Sequence, residues 1–203
     1  MKNIFSLHFA DTMRLMEIKM KQQLIRTVNQ KKVFVFRIIA FTICFAALFC
    51  MDFFKIGDAG FKVFSGGAGT PDMQFGYKPE WLFNVMETLG TEGRLFYLRF
   101  LLFDFIFIIS FAFTQAEILK IIMGKILLAG KWRYVISLSY LRGVFDAVEN
   151  ILLLVILNNY PAHLNGIATV AGISTKLKFI SLALWIVFAI VVFIVRKLGN
   201  TSK

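Results

Sequence analysis

Four stretches of the chain are apolar for about twenty residues each, enough at about 1.5 Å of rise per helical residue to cross a hydrocarbon core of about 30 Å. They run from Val33 to Phe54, Leu95 to Ile118, Tyr134 to Asn158 and Lys176 to Val195. A bilayer core offers backbone amides no water, so such runs must satisfy their own hydrogen bonds as helices. The pattern predicts an all-α fold, a four-transmembrane-helix bundle. Composition agrees, since 58% of the 203 residues are apolar, 24 are Phe and only 17% are charged, against about 25% charged in soluble domains. Those figures exclude a water-soluble enzyme.

Breaks fall between the runs. Gly90 follows an amphipathic segment, Gly130 follows the second run, and Tyr160-Pro161 closes the third, because proline disfavours helix in the residue before it. No internal repeat or second domain is visible. The expected organisation is a cytoplasmic arm over residues 1–32 and a multi-pass membrane domain over 33–203, with an outer loop at 55–94.

Basic residues near span ends are retained in the cytoplasm. The arm, the second loop and the tail together carry fourteen Lys and Arg, whereas the first loop and the head of the fourth span carry six. Both termini are therefore expected in the cytoplasm, of a bacterial plasma membrane or of an organelle if the source is eukaryotic. The net charge of +11 then serves topology and attraction to anionic lipid, and needs no nucleic acid. Cys44 and Cys50 lie on one helix and cannot bridge each other. No small-x-small cleavage site accompanies the first run, so no cleaved signal is expected. The sequon at Asn200 falls on the cytoplasmic side, where it would not be used.

Outside the spans, Phe5, Phe9, Met13, Met16, Met20, Leu24 and Val28 recur at intervals of three or four, with Arg14, Lys19, Lys21 and Arg26 on other faces. This reads as a basic amphipathic helix on the inner leaflet, with a docking helix for a partner protein as the rival. The glycine-rich half of the outer loop, Phe53 to Phe75, lacks the strand and helix of a phosphate-binding loop and reads as flexible or membrane-skimming. Over residues 79–89, Pro79 and Glu80 suit a first turn, and Trp81, Leu82, Val85, Met86 and Leu89 share a face. A short interfacial helix follows, placed as a lid.

Ionisable groups inside a span are costly, so each is a functional hypothesis. Counted from the cytoplasmic edge, Asp104 lies about 21 Å up the second span, and Asp146 and Glu149 about 18 and 22 Å up the third. Arg142, Asp146, Glu149 and Asn150 form one stripe, which must face the bundle interior or a wet cavity. The expected polar site is thus Asp104, Asp146, Glu149 and Asn150. Arg142 would pair with Asp146 one turn away, Lys176 or Lys178 would enter from about 27 to 30 Å up the fourth span, and Tyr97 would guard the outer mouth. Arg99, about 140° around the helix from Asp104, is expected at an interface.

Three function classes suit this layer. The groups could be interhelical glue. An acid left without a cation could carry a proton in coupled transport of a small solute, or act as a general acid on a lipid or isoprenoid substrate. A non-enzymatic role is the preferred expectation. His8 and His163 are far apart, so no histidine metal site or triad is expected, and nothing calls for a cofactor or metal. The expected partners are membrane lipids and a small solute or lipid ligand. If every acid sits within about 4 Å of a cation and no cavity reaches it, glue wins. An unpaired acid lining a pocket open to the outer face or to lipid marks a functional site.

Two motifs also resemble a known pattern: Leu89-Gly90-Thr91-Glu92-Gly93-Arg94-Leu95-Phe96-Tyr97 leading to Asp104, and Asp146-Ala147-Val148-Glu149-Asn150. Together they resemble a family of small, uncharacterised four-span membrane proteins with Leu-Gly-x-x-Gly-Arg-x-x-Tyr entering the second helix and Asp-x-x-Glu-Asn in the third. The resemblance covers roughly residues 74 to 195 and implies a fold without supplying an activity. Four-span sterol isomerases of the emopamil-binding type are similar in architecture alone.

Overall fold

The structure is a computed structural model that describes residues 21–22, 28–30, 32–47, 53–55, 57–128 and 131–201, with the backbone alone for 125–128, 131–133 and 199–201. Among the described residues it is all-helical, with no strand. The chain divides into two compact units, Met1–Ile39 and Ala40–Lys203. In the first, residues 28–30 and 32–39 are helical, with Phe34, Val35, Ile38 and Ile39 exposed. Most of the expected amphipathic arm lies outside the described residues. Helix α1, residues 32–47, continues into the second unit, where Ala40, Cys44 and Ala47 form a buried stripe of small side chains. Cys50 lies outside the described residues.

The second unit continues with α2 (Asp58–Phe64), a 3-10 turn at Pro71–Met73, α3 (Pro79–Thr88), α4 (Gly90–Leu128), a 3-10 stretch at Lys131–Ile136, α5 (Ser137–Asn159) and α6 (Asn165–Thr201). Helices α5 and α6 form the most extensively packed pair, and α4 packs on α5. At the α4–α5 crossing, a Cβ added to Gly143 would sit 3.4 Å from the Ala112 methyl and 3.5 Å from Ile108, so small residues set the helix separation there. Along α4 and α6, runs of 35 and 34 residues, Gly90–Gly124 and Asn165–Leu198, are long and apolar enough to cross a membrane. Helix α5 is excluded from that class by composition, since Arg142, Asp146 and Glu149 crowd its middle.

Helix α4 starts with the turn after α3. Arg94 Nη1 donates to the Met86 carbonyl at 3.0 Å, satisfying an orphan group at the end of α3, and the guanidinium lies 4.0 Å over the Tyr160 ring. The Leu-Gly-x-x-Gly-Arg motif therefore ties α3, α4 and the end of α5 together. At its other end α4 is broken at Gly124, whose φ of +66° is the left-handed region. Arg196 of α6 donates to the carbonyls of Ile121 and Ile122 at 2.7 and 2.9 Å, closing the helix one turn before the break. The sequence pattern places a break at Gly130, beyond the run that ends at Ile118, but the side-chain cap sits earlier.

Two further expectations change. The last helix begins at Asn165 rather than Lys176. Its first turns carry hydroxyls that interrupt the apolar run, but Thr169 returns its own to the Asn165 carbonyl at 2.8 Å. The glycine-rich half of the outer loop is also folded into the unit rather than lying loose. Phe61 of α2 is fully buried against Tyr97, with ring centroids 4.7 Å apart, and the Thr70 amide donates to Asp58 Oδ1 at 2.8 Å.

That loop runs against α6 at one point where no side chain fits. A Cβ on Gly172 would lie 2.3 Å from the Tyr77 carbonyl oxygen. Beyond the loop, α3 buries Leu82, Phe83, Val85 and Met86. These residues join Tyr97 and Leu101 of α4, Leu153 and Ile156 of α5 and Ala168 of α6 in one apolar cluster. A second cluster, Leu119, Met123, Ala189 and Val192, lies further along α4 and α6. On α4 and α6 the buried polar side chains fall between these ends.

Gly172→Val should dislodge the loop at Tyr77 and lower stability by roughly 1–3 kcal/mol. Gly166, with nothing within 4 Å of an added Cβ, supplies the contrast, and Gly166→Ala should stabilise by about 0.5–1 kcal/mol. Thermal melts of the two purified variants in detergent, compared with the parent, check both signs.

Candidate functional site

The middle of the second unit is built around Lys178 of α6, which is 3% exposed. Its ammonium has three protons, and three acceptors meet them. Asp146 Oδ1 and Glu149 Oε2, both from α5, lie 2.9 Å away, and the main-chain carbonyl of Asp72, from the outer loop, lies 2.8 Å away. Asp146 and Glu149 are three apart on α5, so they share a face and reach one cation together.

Both carboxylates have further partners. Arg142 Nη2 donates to Asp146 Oδ2 at 2.8 Å from one turn earlier on α5, while its guanidinium rests over the rings of Phe111 and Phe107 at 4.6 and 5.5 Å. Thr175 Oγ1 donates to Glu149 Oε1 at 2.6 Å, and the Tyr77 hydroxyl donates to the same oxygen at 3.4 Å. Asp146 and Glu149 are thus fully engaged, which lets two acids sit at 2% and 0% exposure.

Asp104 of α4 differs. Asn150 Nδ2 donates to its Oδ2 at 2.9 Å, an interhelical contact between α4 and α5, yet no lysine or arginine lies within ion-pair distance of it among the described residues. Asp104 is 5% exposed and lines a partly open cavity of about 360 Å³. Phe100, Phe107, Phe179, Leu182 and Met73 supply its apolar wall, and Asp58, Thr70, Asp72, Arg142, Asp146 and Lys178 its polar side.

The loop contributes two acids to that polar side. Burial raises the Asp58 carboxyl, but Lys62, one turn away, and the amide and hydroxyl of Thr70 together outweigh it and hold the group below its ordinary value. Asp72 goes the other way. Burial pushes its carboxyl up, Lys178 only partly offsets that, and Asp146 adds to the rise. One of its oxygens, Oδ1, is buried without a hydrogen-bond partner. Burial also raises the Tyr77 phenol, with the charge of Glu149 adding to it.

The geometry brings Asp104, Asp146, Glu149, Asn150 and Arg142 together, and rearranges their surroundings. Lys178 rather than Lys176 meets the acids. Lys176 is exposed and runs along the outside, beside Gly76. Two residues apart, the lysines point to different faces, and the face of α6 that carries Thr175 and Lys178 is the one that meets α5. Tyr97 is not at a mouth. It is fully buried between Phe61 and Phe100, its hydroxyl is without a partner, and α2 covers it. Arg99 is exposed, and His163 stacks on Phe83 at 4.4 Å.

Asp72, Asp58, Tyr77 and Thr175 were not read from the sequence. Two signals existed. Asp72 is the sole charged residue between Lys62 and Lys78, and Thr175 stands one helical turn before Lys178. Among the described residues no trio of His, Cys, Asp or Glu is placed to hold a metal ion. In comparison with known proteins, the chain matches no family model, no curated protein and no solved structure. The reading of the site therefore rests on its geometry.

Lys178→Met leaves Glu149 without a cation and the loop without its tie, and should cost about 3–5 kcal/mol. Asp104→Asn keeps an oxygen to accept from Asn150 and strands no cation, so it should change stability by no more than about 1 kcal/mol. Detergent melts should separate the two, and a Lys178→Met protein as stable as the parent would contradict the three-way tie.

Proposed function

We propose that the chain is a four-span integral membrane protein, with α1, α4, α5 and α6 as its spans, that couples proton exchange at Asp104 to movement of a small solute across the bilayer. The observation that carries this reading is a buried carboxyl with one hydrogen bond and no cation, facing a cavity. Interhelical glue needs its polar groups matched and its space filled, a description that suits Lys178, Asp146 and Glu149 but not Asp104. A carboxyl that can lose its proton to the cavity and regain it is what coupling requires.

The distribution of apolar surface supports a lipid surround. Ile106, Ile109 and Phe113 on α4 and Val187, Ile190, Val191, Phe193 and Ile194 on α6 are all exposed, whereas Asp104, Asp146, Glu149, Asn150 and Lys178 are buried. A soluble bundle has the opposite polarity. Helix α5 joins as a span because its charges are neutralised internally, by Arg142 and Lys178, rather than exposed to hydrocarbon. The excess of basic residues in the arm, second loop and tail supports cytoplasmic termini. The likeness to the small four-span family belongs to this proposal.

Proteoliposomes loaded with a pH-sensitive dye test the reading. A pH gradient is imposed, and benzyltrimethylammonium, benzylsulfonate and benzyl alcohol are added in turn. At least one class should collapse the gradient faster than in protein-free vesicles, and Asp104→Asn should remove that effect while melting like the parent. No collapse with any probe, or an unaffected Asp104→Asn, would overturn the reading. Turnover of a lipid in the same vesicles would point instead to an intramembrane enzyme using the Asp104 carboxyl as general acid.

A further inference from the structure

The charges around the cavity are not balanced. Asp72, Asp104, Asp146 and Glu149 are acids, while the cations Arg142 and Lys178 pair with Asp146 and Glu149 alone, Lys178 meeting Asp72 only at its main-chain carbonyl. Lys178 has nothing to offer an incoming anion, since all three of its protons are taken. Arg142 uses Nη2 on Asp146, while its Nε and Nη1 are buried without a hydrogen-bond partner.

The cavity wall itself carries acids. Asp104 has one oxygen on Asn150 and lines the space with the other free of any hydrogen bond. Asp72, a second lining acid, has an oxygen without a partner. The lining is also aromatic, from Phe100 and Phe107 on the Asp104 face of α4 and Phe179 of α6, with Arg142 5.5 Å from the Phe107 ring and Lys178 5.5 Å from the Phe179 ring. Aromatic faces attract cations and suit an organic body better than a hydrated metal ion, which would need several oxygen ligands.

We infer that the ligand of this cavity is a small organic monocation, an ammonium on an aromatic or branched aliphatic body, with its charge against the free oxygen of Asp104 and its body among Phe100, Phe107 and Phe179. The inference rests on the transport reading and adds the substrate class. It also gives the exchange a balance: one positive charge enters as one proton leaves Asp104 for water, and the reverse step returns both. The charged groups around that exchange are Asp58 and Asp72 from the loop, Arg142, Asp146 and Glu149 from α5, and Lys178 from α6. The cavity, about 360 Å³, lies at the small end of the range for ligand sites.

Isothermal titration of the full chain in lipid nanodiscs tests this with benzyltrimethylammonium, benzyl alcohol and benzylsulfonate, which share a benzyl group and differ in charge. The cation should bind about tenfold or more tightly than either of the others. It should release protons, seen as a dependence of the heat on the buffer's ionisation enthalpy, and should weaken as the medium is acidified. Asp104→Asn should lose about tenfold in affinity, whereas Arg99→Gln, on the exposed face, should lose none.

Equal binding of the alcohol would reduce the site to an apolar pocket, and tighter binding of the sulfonate would reverse its sign. Either overturns the inference while leaving gradient collapse by another probe intact. Failure of all three to bind overturns it as well. Cation binding with proton release but without gradient collapse would uphold the ligand class and sink transport. The comparison of the three probes on the unmodified protein decides the matter even if Asp104→Asn does not fold.

Discussion

The structure depends on one ammonium group. Lys178 is buried with its three protons on Asp146, Glu149 and the Asp72 carbonyl, so a single side chain fixes α6 to α5 and the outer loop to both. Burying such a charge costs several kcal/mol, which only complete hydrogen bonding can offset. Completeness explains the rest of the neighbourhood. Asp146 needs Arg142 for its second oxygen, Glu149 needs Thr175 and Tyr77, and Tyr77 is delivered by a loop that crosses α6 where Gly172 has no side chain.

The same requirement orders the helices from end to end. On α4 and α6 the buried polar side chains, Asp104 and Ser110 on one and Thr175, Lys178 and Ser181 on the other, lie between the two apolar clusters. The outward faces of α4 and α6 are apolar throughout their middles. Under the four-span proposal hydrocarbon solvates the outer surface, so packing specificity must come from inside. Small residues at Gly143 and Ala112, the Asn150–Asp104 bond and the Trp185–Ser139 bond at 2.9 Å are the devices that set helix register.

What the sequence made legible was local. A helix imposes its own geometry, so Arg142 and Asp146 four apart could be paired on paper, and Asp146, Glu149 and Asn150 could be put on one face. The acids could be levelled by counting rise, which brings Asp104 opposite Asn150. Errors entered wherever the answer depended on a tertiary contact. The start of α6 was misplaced because hydroxyls that bond back to the helix look like loop residues. Lys176 and Lys178 are two residues apart at neighbouring depths, and only the contact with Asp146 and Glu149 tells which one faces α5. The glycine-rich half of the loop reads as flexible or membrane-skimming because glycine signals either freedom or close approach, and only the packed structure tells which. Asp72 was missed with it.

The two kinds of acid in this layer explain each other. A bundle with only matched pairs would be stable and inert, and one with only unmatched carboxyls would not hold together. Here Lys178 spends all three protons on Asp146, Glu149 and the loop, and Arg142 is directed to Asp146, so Asp104 is left without a cation. Its neutral donor Asn150 holds it in position in either protonation state, because an amide N–H can donate to a carboxylate or to the carbonyl of a carboxylic acid. The loop that reaches Lys178 through the Asp72 carbonyl also carries the Asp72 carboxyl into the cavity wall. Whatever occupies the cavity therefore acts on the segment that covers it, and a change of charge at Asp104 is felt by a loop already tied to the central cation.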